Sequence, residues 1–230
     1  MTQPLPKDNI AKLLQRVRLS VEKSQKAESD IILLAVSKTR PADEIRSAYE
    51  CGLRQFGESY LQEAVEKIAA LSDLPLTWHF IGPIQSNKTR PIAEHFQWVH
   101  SIDRAKIARR LNDQRPVGAP PLQVCLQVNI SGEQSKSGAE EQDLPALANL
   151  VEELPNLKLR GLMAIPEATN DEAKQRAAFA NLRQIFEDLQ QSHPGLDTLS
   201  MGMSGDLEAA IAEGSTLIRV GTAIFGPRQR

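Results

Sequence analysis

Two patterns of hydrophobic and polar residues recur along this chain. Short continuous apolar runs, of which Ile31 to Val36 is the clearest, are typical of strands that are buried on both faces of a parallel sheet. Between these runs lie longer segments with apolar residues at helical spacing. The runs predict eight strands, at 31–38, 54–58, 77–82, 98–101, 122–130, 157–165, 198–200 and 216–221.

The helical segments alternate strictly with these strands. They are predicted at 42–51, 59–71, 87–96, 105–111, 144–154, 171–191 and 207–212, and one more, at 9–26, precedes the first strand. Strict alternation predicts an α/β fold with a parallel sheet, and eight units at this length predict a closed barrel. We therefore predict a single-domain (β/α)8 TIM barrel over residues 1–230, with an extra N-terminal helix.

One loop signal and one alternative fold bear on this prediction. The segment 112–121 is rich in Pro and Gly, but the alternation resumes unchanged after it, so we interpret it as a helix-to-strand connection. A doubly wound open sheet is the alternative architecture. The first strand is not followed by Gly-x-Gly-x-x-Gly, so a dinucleotide site of the Rossmann kind is not supported.

Composition excludes several classes of function. The net charge is −2 and aromatic residues make up 4% of the 230 residues, which argues against a nucleic-acid-binding protein. The start of the sequence has no signal-peptide pattern, and no apolar run is long enough to span a membrane. Cys51 and Cys125 are isolated thiols, as is common in a reducing compartment. We therefore expect a soluble cytoplasmic protein, and a monomer, since no helix shows a second apolar face.

Lys38 ends the first predicted strand, where parallel α/β folds place their functional sites. A partly desolvated lysine is less favourably protonated, and its amine can then attack a carbonyl carbon. Pattern alone does not exclude a lysine that merely begins an exposed loop.

The ends of the last two strands carry a second signal. The Gly-rich turn at 201–206 leads into a helix, and Gly221 and Thr222 follow the eighth strand. Loops at these two positions commonly bind phosphate in such barrels, although each turn taken alone can be structural and Ser204 or Asp206 a simple helix cap. Arg219 alternates with apolar neighbours and points into the barrel, toward either the site or a structural ion pair.

A phosphate site opposite a reactive lysine fits two chemistries. One is pyridoxal phosphate held as a Schiff base, and the other is a class I aldolase acting on a sugar phosphate.

Several segments resemble those of the YggS/PROSC (PLPBP) family of pyridoxal phosphate homeostasis proteins. The resemblance covers nearly the whole chain, from about residue 33 to 226, and the segment at 78–88, Trp-His-Phe-Ile-Gly-Pro-Ile-Gln-Ser-Asn-Lys, is the most specific motif. The other segments lie at 35–39, 56–58, 129–131, 136–138, 161–163, 200–204 and 219–226.

This resemblance implies a fold like the barrel domain of alanine racemase and a role in intracellular pyridoxal phosphate (vitamin B6) homeostasis. It implies that Lys38 forms the Schiff base and that Arg219 faces the pyridine nitrogen. A guanidinium stays protonated and cannot accept a hydrogen bond, so the ring nitrogen would stay unprotonated and the cofactor would be a weak electron sink. The phosphate would be held by Ser200, Ser204, Gly221 and Thr222, and Asn129 and Met163, at the ends of strands five and six, complete the predicted cofactor-binding set.

One position departs from the family pattern. The usual Gly-Glu-Asn-Tyr is Gly-Glu-Ser-Tyr at 57–60, so Ser59 replaces an asparagine and a role of that amide near the cofactor is in doubt.

Two functions remain open within this resemblance. The first is a carrier or regulator without catalysis, which hands pyridoxal phosphate to apoenzymes or acts with a regulatory protein. The second is an enzyme with weak racemase-like activity, for which Tyr60 or His79 would have to serve as the second base. His79 also fits a buried core position. Lys136 is a candidate temporary holder of the cofactor or a solvated loop lysine.

Overall fold

The computed structural model describes residues 6–24, 31–131 and 137–227, and these ranges contain eight parallel strands. The strands are β1 (Ile32–Val36), β2 (Gln55–Glu58), β3 (Thr77–Phe80), β4 (Trp98–Ile102), β5 (Leu122–Gln127), β6 (Leu157–Met163), β7 (Thr198–Ser200) and β8 (Leu217–Val220). They pair in chain order, and β8 pairs with β1, so the sheet closes into a barrel. The predicted (β/α)8 barrel is confirmed.

Helices cover the outside of this barrel. They are α1 (Pro6–Lys23), α2 (Ala42–Glu50), α3 (Leu61–Ala70), α4 (Thr89–His95), α5 (Ala105–Gln114), α6 (Leu144–Glu152), α7 (Glu172–Ser192), α8 (Leu207–Ala212) and α9 (Thr222–Phe225). The extra N-terminal helix is confirmed as α1. That all 230 residues form one domain stays a prediction, because residues 1–5, 25–30, 132–136 and 228–230 lie outside the described part.

The main core lies between the barrel and the helices, as the apolar stripes require. In α7, Phe179, Leu182 and Phe186 are buried against the sheet. The Asp171 side chain begins this helix by accepting hydrogen bonds from the free backbone N–H groups of its first turn. Each helix therefore buries one face and leaves the other to solvent.

The inside of the barrel is more polar than its outside. Alternate strand residues point inward, and Trp98, Cys125 and Met163 form a small apolar cluster there. His79 and His100 are fully buried with them. His79 stacks on Trp98, with ring centroids 5.3 Å apart and an angle of 11° between the rings. The inside of the barrel is thus filled by side chains.

Helix α1 packs on α8 and α9, next to the ends of β7 and β8. The Asn9 amide donates to the Ile224 carbonyl oxygen at 3.0 Å. Arg16 donates to the Ser204 carbonyl oxygen at 3.2 Å and pairs with Glu208 at 2.8 Å. The extra helix therefore supports the two segments predicted to bind phosphate.

Several predicted boundaries differ from the observed ones by up to three residues. Two differences lie at strand ends that carry predicted site residues. The fifth strand was predicted to run to residue 130, but β5 ends at Gln127, and Val128 forms an isolated bridge to Ala139. No helix was predicted after the eighth strand, but residues 222–225 form the short helix α9. Four residues are too few for an apolar period to be visible in sequence.

Candidate functional site

A cavity of about 260 Å³ opens at the carboxyl end of the barrel. It brings together five of the eight predicted site residues, from the ends of β1, β7 and β8: Lys38, Ser204, Arg219, Gly221 and Thr222. The rest of its wall consists of Val36, Arg40, Ser59, Ile81, Ile165, Met203, Gly205 and Gly226. The cavity has three basic side chains and, among the described residues that line it, no carboxylate.

Lys38 lies in the turn that follows β1, and both of its neighbours are fixed. The Ser37 hydroxyl is buried and donates to Glu58 Oε1 at 2.6 Å. Thr39 has a φ of 66°, a left-handed conformation that is uncommon for a β-branched residue. Its backbone N–H donates to Glu63 Oε1 at 2.6 Å, which helps to hold this strained turn.

A buried ionic cluster lies behind this turn. The Lys67 ammonium donates to Glu58 Oε1 and to the Ser37 carbonyl oxygen, both at 2.8 Å, and it also pairs with Glu63. Glu58 is 0% exposed, and burial raises the pKa of its carboxyl while Lys67 opposes that rise. Sequence analysis missed Lys67 and Glu63, although their i,i+4 spacing and the place of Lys67 beside the apolar stripe of α3 were visible signals.

Arg219 is buried at 4% exposure and uses neutral oxygen partners. Its guanidinium donates to the Ser200 carbonyl oxygen at 2.5 Å, to Ser200 Oγ at 2.8 Å and to the Ala164 carbonyl oxygen at 2.8 Å. Burial lowers its pKa to about 10, so it remains a cation at neutral pH. It forms no ion pair with a carboxylate in the described ranges, so the alternative of a structural ion pair is not what the structure shows.

The loops after β7 and β8 are joined to each other. Ser204 Oγ accepts a hydrogen bond from the Ala223 backbone N–H at 3.3 Å. Asp206 does not cap α8 with its side chain, which instead accepts from the Met203 N–H at 2.5 Å. Gly221 packs tightly, because a Cβ there would lie 3.1 Å from the Val36 carbonyl oxygen. These contacts hold one wall of the cavity in a fixed shape.

Gly205, in the same wall, differs from Gly221. A Cβ on Gly205 would meet no atom within 4 Å, and its φ is not in the left-handed region. Neither packing nor conformation therefore requires glycine there. The position leaves space beside the backbone, as a wall that receives a phosphate group closely would need.

The other three predicted site residues do not line the cavity. Ser200 is 0% exposed and lies beneath Arg219, where its hydroxyl contacts His100 Nδ1 at 2.8 Å. Met163 belongs to the apolar cluster inside the barrel. The Asn129 amide donates to Glu140 Oε1 at 3.3 Å, and its oxygen accepts from Ser131 at 3.1 Å.

The candidates for a second base also lie away from the cavity lining. Tyr60 is 52% exposed and borders a neighbouring groove. His79 is buried inside the barrel, and burial lowers its pKa to about 3. Ser59, by contrast, does line the cavity. Lys136 lies outside the described residues.

Two further features concern the described residues as a whole. Cys51 and Cys125 are both free thiols. No described helix is both long and apolar enough to cross a membrane, and no described group of His, Cys, Asp or Glu has an arrangement that could hold a metal ion.

Comparison with known proteins places this site in context. The sequence model of the family "Alanine racemase, N-terminal domain" matches residues 10–229. The pyridoxal phosphate homeostasis protein of Pseudomonas aeruginosa is 65% identical over 221 residues, which cover 96% of this chain and 95% of that protein. PipY of Synechococcus elongatus PCC7942, solved with pyridoxal phosphate (PLP) bound, is 41% identical, with a TM-score of 0.82 over 96% of this chain and 100% of PipY.

A more distant similarity concerns the fold alone. Alanine racemase from Corynebacterium glutamicum is 15% identical, with a TM-score of 0.67, and the match covers 96% of this chain and 62% of the racemase. The barrel is therefore shared with an enzyme that is considerably longer than this chain.

Proposed function

Because this chain belongs to the alanine racemase N-terminal domain family and, within it, to the pyridoxal phosphate homeostasis proteins, we propose that it binds PLP and serves intracellular vitamin B6 homeostasis without catalysis. The observation that carries the proposal is a single cavity that joins Lys38, the buried Arg219 and the loops after β7 and β8. An amine, a cation and a glycine-containing wall are the groups that a phosphorylated aldehyde requires.

Lys38 supplies the covalent anchor in this proposal. Its amine attacks the aldehyde carbon of PLP, the C=N bond of a Schiff base forms, and the aldehyde oxygen leaves as water. The turn that carries Lys38 is fixed by Glu58, Glu63 and Lys67, so the amine starts from a defined position. Pre-organisation of this kind reduces the entropy lost on binding.

The opposite wall is suited to the phosphate. Ser204, Gly205, Gly221 and Thr222 line the cavity there and can offer hydroxyls and backbone N–H groups. Small residues let backbone N–H groups approach a dianion, and the absence of a carboxylate from the described lining favours a negative ligand. Ser200, which lies beneath Arg219, would act on the cofactor through that guanidinium rather than by direct contact.

Arg219 would face the pyridine nitrogen. When bound, PLP supplies an electron-withdrawing ring, whose strength depends on protonation of that nitrogen. A guanidinium can donate a hydrogen bond to the nitrogen but does not transfer a proton to it at neutral pH. The proposed arrangement therefore weakens carbanion chemistry and suits storage or transfer of the cofactor.

The lining of the cavity also favours a carrier over a racemase. A racemase needs a base on each face of the substrate carbon. Lys38 could supply one, but the described lining contains no imidazole, phenol or carboxylate that could supply the other. Weak racemase-like activity is the alternative function, and it would require Tyr60 to move into the cavity. PLP recipients or a regulatory partner, the monomeric state and the cytoplasmic location stay predictions.

The visible absorbance of the purified protein with added PLP tests the proposal. We expect a yellow Schiff-base band in the parent and in Lys158→Ala, a matched exposed-lysine control, and no such band in Lys38→Ala. Borohydride reduction followed by peptide mapping should locate the cofactor on Lys38. A parent that takes up no PLP would overturn the proposal and favour a sugar phosphate bound by a class I aldolase, whereas racemisation of alanine by the PLP-loaded parent would favour the enzyme.

A further inference from the structure

A chain of hydrogen bonds runs through the inside of the barrel from Arg219 to Gln55. Arg219 Nη1 lies 2.8 Å from Ser200 Oγ, and Ser200 Oγ lies 2.8 Å from His100 Nδ1. His100 Nε2 lies 2.9 Å from His79 Nδ1, and His79 Nε2 lies 2.7 Å from Gln55 Oε1. Four strands, β2, β3, β4 and β7, thus connect to the guanidinium that borders the cavity.

Arg219 determines the direction of this chain. A guanidinium has only donors, so the Ser200 oxygen accepts from it and the Ser200 hydroxyl donates to His100 Nδ1. His100 then carries its proton on Nε2 and donates to His79, which donates from Nε2 to Gln55. The reverse direction would direct two donors at the Ser200 oxygen and leave its proton without an acceptor among the described residues.

Both histidines are neutral in this arrangement. Burial lowers the pKa of His79 to about 3 and places the pKa of His100 well below its ordinary value. The positive charge of Arg219 lowers the pKa of His100 further, as would a positive charge on His79. Each imidazole therefore offers one donor and one acceptor, as a one-way chain requires.

We propose that His100 and His79 are positioning residues, which orient the Ser200 hydroxyl and through it hold the Arg219 guanidinium toward the cofactor ring. The proposal rests on the proposed function, since it concerns the residue assigned to the pyridine nitrogen. Arg219 has no carboxylate partner in the described ranges, so its direction depends on a few neutral oxygens, of which Ser200 supplies two. The histidine chain fixes one of those two.

Two substitutions of similar size separate this role from simple core packing. In His100→Asn, the side-chain oxygen takes the place of Nδ1 and can still accept from Ser200. In His100→Gln, the side-chain nitrogen takes the place of Nε2 and can still donate to His79, but the acceptor for Ser200 is lost. A packing role would make the two variants alike, whereas a positioning role makes only His100→Gln affect Arg219.

The variants are compared in their PLP-loaded form, by PLP retention and by the visible absorbance band. We expect His100→Gln to weaken PLP retention about tenfold, as for one lost hydrogen bond at a charged group, and to change the pH dependence of the visible band. His100→Asn should resemble the parent in both properties. Ser200→Ala should reproduce the change of His100→Gln, and the double variant should add little to it. Equal effects of Asn and Gln, or a parent-like Ser200→Ala, would overturn the proposal.

A measurement without cofactor separates this proposal from the proposed function. Nitrogen-15 NMR of histidine-labelled apoprotein reports which ring nitrogen carries the proton. We expect His79 and His100 both to carry the proton on Nε2 at neutral pH, with no proton on Nδ1. Protonation of His100 on Nδ1 would reverse the chain and sink the inference even if PLP binds as proposed. A parent without the PLP band, but with these tautomers, would instead fail the proposed function alone.

Discussion

The side-chain nitrogen of Lys67 lies 2.8 Å from the carbonyl oxygen of Ser37, the residue that precedes Lys38. Glu63, one turn earlier on α3, accepts from the backbone N–H of Thr39, the residue that follows Lys38. The third helix therefore holds the backbone on both sides of Lys38, without contributing a residue to the cavity lining. This relationship leads to the first two predictions.

Replacement of Lys67 should cost stability as well as order in the turn. Lys67→Met leaves the buried Glu58 carboxylate without its cation, and loss of one partner of a buried pair costs about 3 kcal/mol of unfolding free energy. Urea unfolding measures the change. Arg18→Met, which removes an exposed i,i+4 partner of Glu22, should cost no more than about 0.5 kcal/mol. Adding Glu58→Gln to Lys67→Met should recover part of the loss, and no recovery would show that the buried charge is not its cause.

Glu58 should give stability a specific pH dependence. Its pKa is raised above 4.5 in the folded protein, so the folded state binds this proton more tightly than the unfolded chain. The resulting stabilisation is complete below pH 4.5 and is lost as pH rises through the raised pKa. The unfolding free energy of the parent should therefore fall relative to that of Glu58→Gln as pH increases.

The exposed Glu66→Gln, on the same helix, controls for the loss of a negative charge. If the unfolding free energy of the parent instead rises relative to that of Glu58→Gln as pH increases, the effect of Lys67 on the Glu58 pKa outweighs the effect of burial.

His79 and His100 should make the protein sensitive to acid. Their pKa values are lowered in the folded state, from 6.5 to about 3 for His79 and well below 6.5 for His100, so the unfolded chain binds protons that the folded chain does not. The contribution of the two neutral histidines to the unfolding free energy is fully present above pH 6.5. It should fall, for each histidine, by about 1.4 kcal/mol per pH unit as pH decreases toward the lowered pKa.

His79→Gln should reduce the slope of unfolding free energy against pH by the contribution of one titrating group. Lys158→Gln should leave this slope unchanged. The slope, obtained from denaturant unfolding at several pH values, is the measurement, because the absolute stability of His79→Gln also contains the lost hydrogen bonds. An unchanged slope in His79→Gln would show that His79 titrates normally in the fold.

Gly205 lies in the cavity wall that we propose receives the phosphate of PLP. Gly205→Ala should fold with parent-like stability, because a Cβ there meets no atom within 4 Å, but the methyl group should hinder a phosphate and weaken PLP binding about tenfold. Gly195→Ala is the matched control, since a Cβ there also meets no atom and the residue lies outside the cavity lining. Equilibrium titration with PLP measures both. Unchanged binding in Gly205→Ala would place the phosphate elsewhere in the cavity.

The barrel was predictable because its pattern is local and strong. A buried parallel strand such as Ile32–Val36 appears as a continuous apolar run, and each helix shows its own apolar stripe. Barrel topology then directs the ends of all strands to one face, which is why Lys38, Arg219 and Thr222 were correctly grouped.

The contacts that the sequence did not predict depend on the orientation of side chains rather than on their order along the chain. The contact of Lys67 with Ser37 requires the rotation of α3 about its axis, which a stripe defines only approximately. The family resemblance placed Ser200 among the phosphate ligands, and in the structure its inward direction at the last position of β7 buries it under Arg219. The contact between His79 and His100 depends on the relative register of β3 and β4, which no sequence pattern reveals.

The contacts of α1 with α9, and of Arg40 with the two residues that follow α9, have a consequence for biosynthesis. Arg40 donates to the carbonyl oxygens of Gly226 and Pro227, and β1 has β8 as one of its two neighbours. Residues nearly two hundred positions apart thus build the same cavity wall, and such distant contacts form late. On the ribosome, a nascent chain can display Lys38 long before its partners in the cavity exist. The cavity is therefore complete only after the segment through Pro227 has been translated, so we expect PLP to be retained by the finished chain and not by a nascent chain that already displays Lys38.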